Sequence, residues 1–262
     1  MEEILSTEAI GCVKKFKRWL RPKPDDIYPV VITPYIMSFI SAMYMIDLLW
    51  SYLLCHRIDI ICSDVFALPW GGFFIESVKD NPGSLFTYSI HHLSLTHLLA
   101  NLIMTWFIYS HLEYRLGSLR IAIGMMLSCV GGSLLWWLWG VKGTVVVGFS
   151  GVAYAGLLIF VGEQIMHWRE IDPDTDEPRS HFFFFVIVIG VIITFVVEAV
   201  WLSGIAILAH LGGAVSGLCY SLLFLPKFKR EVWEYIIMGI SALVFTLQFI
   251  ILPCVLFFLP GK

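Results

Sequence analysis

Apolar residues run along this chain in long blocks, and the polar residues collect in short clusters between them. A helix needs about 20 apolar residues to cross the ~30 Å hydrocarbon core of a bilayer. Seven stretches approach that length: Val30 to Cys55, His92 to Leu112, Leu119 to Gly140, Val147 to Gly162, Phe182 to Leu202, Ile205 to Leu225 and Val232 to Leu259. The fourth is the shortest and is rich in Gly and Ala. The pattern predicts an all-α polytopic membrane bundle of six helices with one further transmembrane helix at the C-terminus. In numbers, 1–29 is expected to be a cytoplasmic tail, 30–225 a six-helix core, and 226–262 a cytoplasmic linker with the seventh helix.

Composition sharpens this. Of 262 residues, 58% are apolar and 14% charged, with a mean hydropathy of +0.82, whereas about a quarter of residues are charged in soluble domains. A secreted disulfide scaffold, a nucleic-acid binder and a β-barrel porin are excluded. The net charge of -3 points to no acidic or basic partner, and no nucleic acid is expected. Cytoplasmic loops carry the excess of Lys and Arg. A cytoplasmic N-terminus leaves only Arg57, Lys79, Lys142 and Lys262 outside, from a total of 17 basic residues, so the topology is N-in and C-out. The N-terminal tail lacks the apolar core of a signal peptide. The segment from Gln164 to Ser180 carries mixed charges and reads as a solvated cytoplasmic loop. Cys12, Cys55, Cys62, Cys129, Cys219 and Cys254 show no metal-ligand spacing, so neither a metal nor a cofactor is expected. Cys55 and Cys62 fall near the exoplasmic side, where a disulfide is allowed.

Ionisable and hydrogen-bonding side chains at membrane depth are costly, which makes each a functional candidate. Here they are Asp47, His97, Asn101, Ser150, Glu198 and His210. The second, fourth and sixth spans enter from the exoplasmic side. His97 lies about six residues in, Ser150 three or four, and His210 about seven, which is roughly 5–10 Å at 1.5 Å per residue. The three therefore share one shallow layer. A serine hydroxyl becomes a useful nucleophile when an imidazole takes its proton, and Ser150 opens its span in G-F-S-G, where free N–H groups and the helix dipole favour an oxyanion. The plain alternatives are a small packing residue for Ser150 and a packing histidine for His210. Gly151 and Ala155 on one helix, and Gly213 and Gly217 on the other, form small-residue faces that allow close approach, and this pairing favours catalysis.

Four motifs complete the picture: H-x-x-x-x-H-x-x-x-N (His92, His97, Asn101), E-x-R-L-G (Glu113, Arg115, Leu116, Gly117), G-x-S-G-x-x-Y-A (Gly148, Ser150, Gly151, Tyr154, Ala155) and A-H-x-x-G-x-x-x-G (Ala209, His210, Gly213, Gly217). In order and spacing the chain resembles the rhomboid intramembrane serine proteases over about residues 65 to 225. The seventh span resembles the extra C-terminal helix of eukaryotic secretory-pathway members.

The resemblance implies a Ser150–His210 dyad without an acidic third member, cleaving single-pass transmembrane proteins near the exoplasmic end of their membrane helix. It implies oxyanion donors from His97, Asn101 and the Ser150 N–H, with Tyr154 lying against the imidazole of His210. His92 is expected to support the loop between the first two spans, and Glu113 and Arg115 to brace a cytoplasmic turn. Gly83 and Ser84 stand where family members commonly carry a Trp-Arg pair. Asp47 and Glu198 match no family motif; the first is expected to bond a neighbouring helix and the second to sit near the exoplasmic interface. Trp70, Phe73 and Phe74 are expected at the lipid interface, in contact with membrane lipids. The extra C-terminal span favours the Golgi or plasma membrane over the mitochondrion. A non-enzymatic rhomboid-like protein that binds membrane clients is the main rival, although such proteins usually lack the serine or the histidine. A transporter would need a polar path that the cytoplasmic halves of the spans do not offer.

Overall fold

A computed structural model describes residues 27–58, 60–66, 71–168, 181–201, 206–225 and 231–258. The expectations for the N-terminal tail, Trp70, the charged segment 169–180 and the basic residues Lys227, Lys229 and Arg230 fall outside the described residues. Seven long helices occupy the predicted stretches: α1 (Ile32–Cys55), α2 (Leu95–Leu116), α3 (Ser118–Trp139), α4 (Ser150–Met166), α5 (Phe182–Trp201), α6 (Ile207–Phe224) and α7 (Val232–Thr246). A π-helical turn, Leu247–Ile251, and a last helical segment, Leu252–Phe258, prolong α7. Among the described residues the nearest thing to a strand is an isolated bridge between Phe73 and Val146.

This is a multi-pass membrane protein. Among the described residues, five helices, α1, α3, α5, α6 and the prolonged α7, are long and apolar enough to span a bilayer. The other two differ. The short helical segment Ser84–Ile90 precedes α2 and meets it at 98°, and α2 itself carries His97, Asn101, Glu113 and Arg115. Helix α4 has 17 residues, or roughly 25 Å, about 5 Å less than the hydrocarbon core. Its C-terminal end is polar, with Glu163 bonded to Arg115 Nη2 at 2.9 Å. That end belongs at an interface, so the shortfall is at the Ser150 end.

Close packing around α4 explains the small residues. A Cβ on Gly213 would stand 2.2 Å from Gly151 O, and one on Gly217 would stand 2.4 Å from Ala155 O. Helices α4 and α6 therefore touch backbone to backbone. On an adjoining face of α6, a Cβ on Gly212 would meet Gly131 O of α3 at 2.3 Å. Gln248, in the π-turn, donates to Gly131 O at 3.2 Å and to Gly212 O at 3.0 Å, which fastens the seventh helix to this three-helix junction.

At the far end, Glu113 Oε1 accepts from the Val31 and Ile32 N–H groups, and Oε2 accepts from the Thr33 N–H and hydroxyl. The first N–H groups of a helix have no partner within it, so a carboxylate from α2 caps α1. Glu113 therefore braces this end of the bundle.

Near the Ser150 end, the loop from Gly71 to Ser94 packs as part of the core. Phe73 and Val146 exchange two backbone hydrogen bonds of 2.9 and 3.0 Å, and Phe73 lies edge-on to Tyr88 with ring centroids 6.2 Å apart. This corrects the expectation that Phe73 meets lipid: the bridge holds it inside, with no exposed surface, and Phe74 is half-buried against the core. Gly83 and Ser84 start the short helical segment, where the Ser84 hydroxyl donates to Asn81 O. Asp47 bonds the ring of His91, which precedes α2, at 2.8 Å and with both side chains fully buried. Its partner is this loop residue, where a helix was expected. Cys55 and Cys62 are joined by a disulfide.

Candidate active site

Ser150 is delivered by a strand-like entry that several groups hold in place. The Gly148 N–H donates to Tyr88 O at 3.0 Å, and the Tyr88 hydroxyl is itself anchored on Cys129 O of α3 at 3.0 Å. Gly148 has φ +123°, a region that side chains avoid, and a Cβ there would lie 2.6 Å from His97 Cε1. Only glycine serves at this position. The Phe149 N–H donates to His92 Nε2 at 3.4 Å. His92 therefore supports the turn into Ser150.

The first intrahelical bond of α4 runs from the Ala153 N–H to Phe149 O. The N–H groups of Ser150, Gly151 and Val152 accordingly have no acceptor one turn back. Across the α4–α6 seam, Ser150 Oγ lies 2.7 Å from His210 Nε2. The rings of Tyr154 and His210 are 4.8 Å apart and inclined by 32°. On the other side of Gly148 stand His97 and Asn101, one helical turn apart on α2, with the Ser94 hydroxyl accepting from the His97 N–H at 3.3 Å to cap that helix. Asn101 Nδ2 and His97 Nδ1 are buried without a hydrogen-bond partner. Buried donors are rarely left so. Asn101 Nδ2 lies 3.7 Å from where a Gly148 Cβ would stand, so an acceptor arriving at the entry to Ser150 would satisfy it.

Glu198 departs from the sequence reading. It lies near the end of α5, buried against the bundle at 8% exposure, and its Oε2 is 2.9 Å from His210 Nδ1. The Tyr154 hydroxyl donates to Oε1 at 2.7 Å. Where the resemblance implied no acidic third member, a carboxylate touches the imidazole. A signal was available: α5 leaves the membrane at the end where α6 enters it. Glu198 is three residues from the end of α5 and His210 three residues from the start of α6, so the two share a depth. Ser150, His210, Tyr154, His97, Asn101, Gly148 and His92 thus converge at one end of the bundle, with Gly151, Gly213 and Gly217 setting the helix spacing.

A family model described as Rhomboid domain matches residues 80–227. RHOMBOID-like protein 1 of Arabidopsis thaliana is 32% identical over 143 residues, which is 55% of this chain and 34% of that protein. The match thus spans about a third of the relative's length.

Proposed function

Because the chain belongs to the rhomboid family, we propose that it is an intramembrane serine endopeptidase whose substrates are single-pass transmembrane proteins. The observation that carries this reading is the 2.7 Å contact between Ser150 Oγ and His210 Nε2 at the opening of a helix with free N–H groups. Ser150 Oγ attacks the scissile carbonyl carbon while its proton passes to Nε2. As the C–N bond breaks, Nε2 returns that proton to the leaving amine, and an ester to Ser150 remains. Water then repeats the sequence: its proton goes to Nε2, its oxygen attacks the ester, and Ser150 is regenerated. The Ser150 N–H, His97 and Asn101 stabilise the oxyanion in both halves. Tyr154 holds the plane of the imidazole. No cofactor takes part.

Loss of one oxyanion donor typically costs about 10²–10³ in kcat. Asn101→Ala is expected to fall by that factor while still reacting slowly with a fluorophosphonate at Ser150. Cleavage at the wild-type rate with subsaturating substrate would reduce Asn101 to a packing amide.

The charge distribution supports an N-terminus in the cytoplasm and a site facing the exoplasmic side, and the extra C-terminal span favours the Golgi or plasma membrane. Membrane lipids surround the apolar outer faces, that of α5 above all. Ser150 then lies about 5 Å below the exoplasmic boundary. The client helix must unwind there, which Gly or Pro near that end makes easier, and the ectodomain is released. The test incubates purified protein with a single-pass model substrate and maps the cut by mass spectrometry. A scissile bond in the exoplasmic third is expected, present with wild type and absent with Ser150→Ala. A cut at the midplane, or one insensitive to Ser150→Ala, overturns the reading.

A further inference from the structure

Among the residues of α5 with described side chains, Glu198 alone is buried; the rest face outward or are half-exposed. A helix that is apolar almost throughout therefore turns its one carboxylate inward, where it makes two contacts. One oxygen accepts from the Tyr154 hydroxyl at 2.7 Å and the other meets His210 Nδ1 at 2.9 Å. We propose that Glu198 is a positioning residue that completes a Ser150–His210–Glu198 triad, an inference that rests on the proteolytic reading above.

The argument is one of proton placement. An ionised carboxylate can only accept, so the neighbouring Nδ1 carries the hydrogen and Nε2 presents its lone pair to Ser150 Oγ. The same contact fixes the ring about its Cβ–Cγ bond, with the Tyr154 ring holding it from the side. When Nε2 takes the serine proton, the ring becomes a cation, and Glu198 meets that new charge at hydrogen-bond distance in a dry interior, where such pairing is strongest. Glu198 receives no proton in the cycle. Its two oxygens remain bound to Tyr154 and to Nδ1 throughout.

The rival account is a latch. Helix α5 is sparsely packed, with nearly all of its residues outside the core, and Glu198 with the Tyr154–Phe195 ring contact at 5.1 Å could serve only to dock it. Glu198→Gln separates the two, because the amide has the same size and still reaches both partners but carries no charge. Full-length protein is assayed on the single-pass substrate for kcat and KM separately, with the thermal midpoint measured alongside. Positioning predicts a fall in kcat of about 10⁴, the size seen when the acidic member of such a constellation is neutralised or removed, with KM and thermal midpoint held. Wild-type kcat in Glu198→Gln overturns the triad. So does a loss that tracks KM and a lowered thermal midpoint. If instead wild type and Ser150→Ala cleave equally, the proteolytic reading itself fails and the triad with it, an outcome distinct from the other two.

Discussion

Ser150→Ala and His210→Ala are each expected to abolish cleavage of a single-pass substrate, and the double variant to be no worse than either. A hydroxyl is a poor nucleophile until its proton has somewhere to go. In the proposed mechanism that place is Nε2 of His210, 2.7 Å away. Removing the base therefore silences the serine, and removing the serine leaves the base nothing to activate. Groups that act as a unit lose activity once: losses of about 10⁶ in kcat are typical for either member of such a pair, with no further cost for both. A fluorophosphonate or isocoumarin probe should label the wild-type protein and leave Ser150→Ala untouched. Equal labelling of the two would place the nucleophile elsewhere, and substantial cleavage by either single variant would remove the pair from the mechanism. The variants should keep the fold, since the helix seam beside them is built from the small residues and backbone of α4 and α6.

How much of this could be read from the chain depends on the range of the interaction. The seven helices were legible because each is written in a contiguous apolar run, and the lipid core rewards nothing else. Ser150, His210, His97 and Asn101 were legible because a polar side chain inside such a run stands out, and because counting from one membrane face puts them at a common depth. The small-residue faces of α4 and α6 had a local signature too. Partners across long separations were harder. Glu198 stood out as a carboxylate in an apolar run, yet its partner depends on how α5 rotates about its own axis, and a helix apolar on every side gives no clue to that rotation. Phe73 was placed at the lipid interface because aromatic residues collect there. Its backbone pairing with Val146 comes from the loop closing over the entry to α4, a contact that no local pattern announces. Asp47 likewise found His91, in a loop whose path only the folded chain defines.

The spacing of α4 and α6 supplies the last expected result, a loss of activity in Gly213→Ala that a matched glycine substitution elsewhere does not show. The added Cβ would lie 2.2 Å from Gly151 O, a backbone atom that cannot turn aside, whereas ordinary contact begins at 3.4 Å. The seam must open by about 1.2 Å, and an overpacked contact of this kind costs about 1–3 kcal/mol. The catalytic cost is larger. Gly151 follows Ser150 and Gly213 lies one turn beyond His210, so the opening is felt at the reacting pair. Their 2.7 Å contact widens to about 3.9 Å, past the ~3.2 Å reach of a proton transfer. A misplacement of about 1 Å can cost 10²-fold in rate, and a drop of at least that size is expected in both cleavage and probe labelling. Gly239 of α7 and Gly190 of α5 have nothing within 4 Å of an added Cβ, so Gly239→Ala and Gly190→Ala should cleave as wild type does. If Gly213→Ala retained wild-type labelling, the backbone contact with Gly151 would not be what sets the distance between the serine and its base.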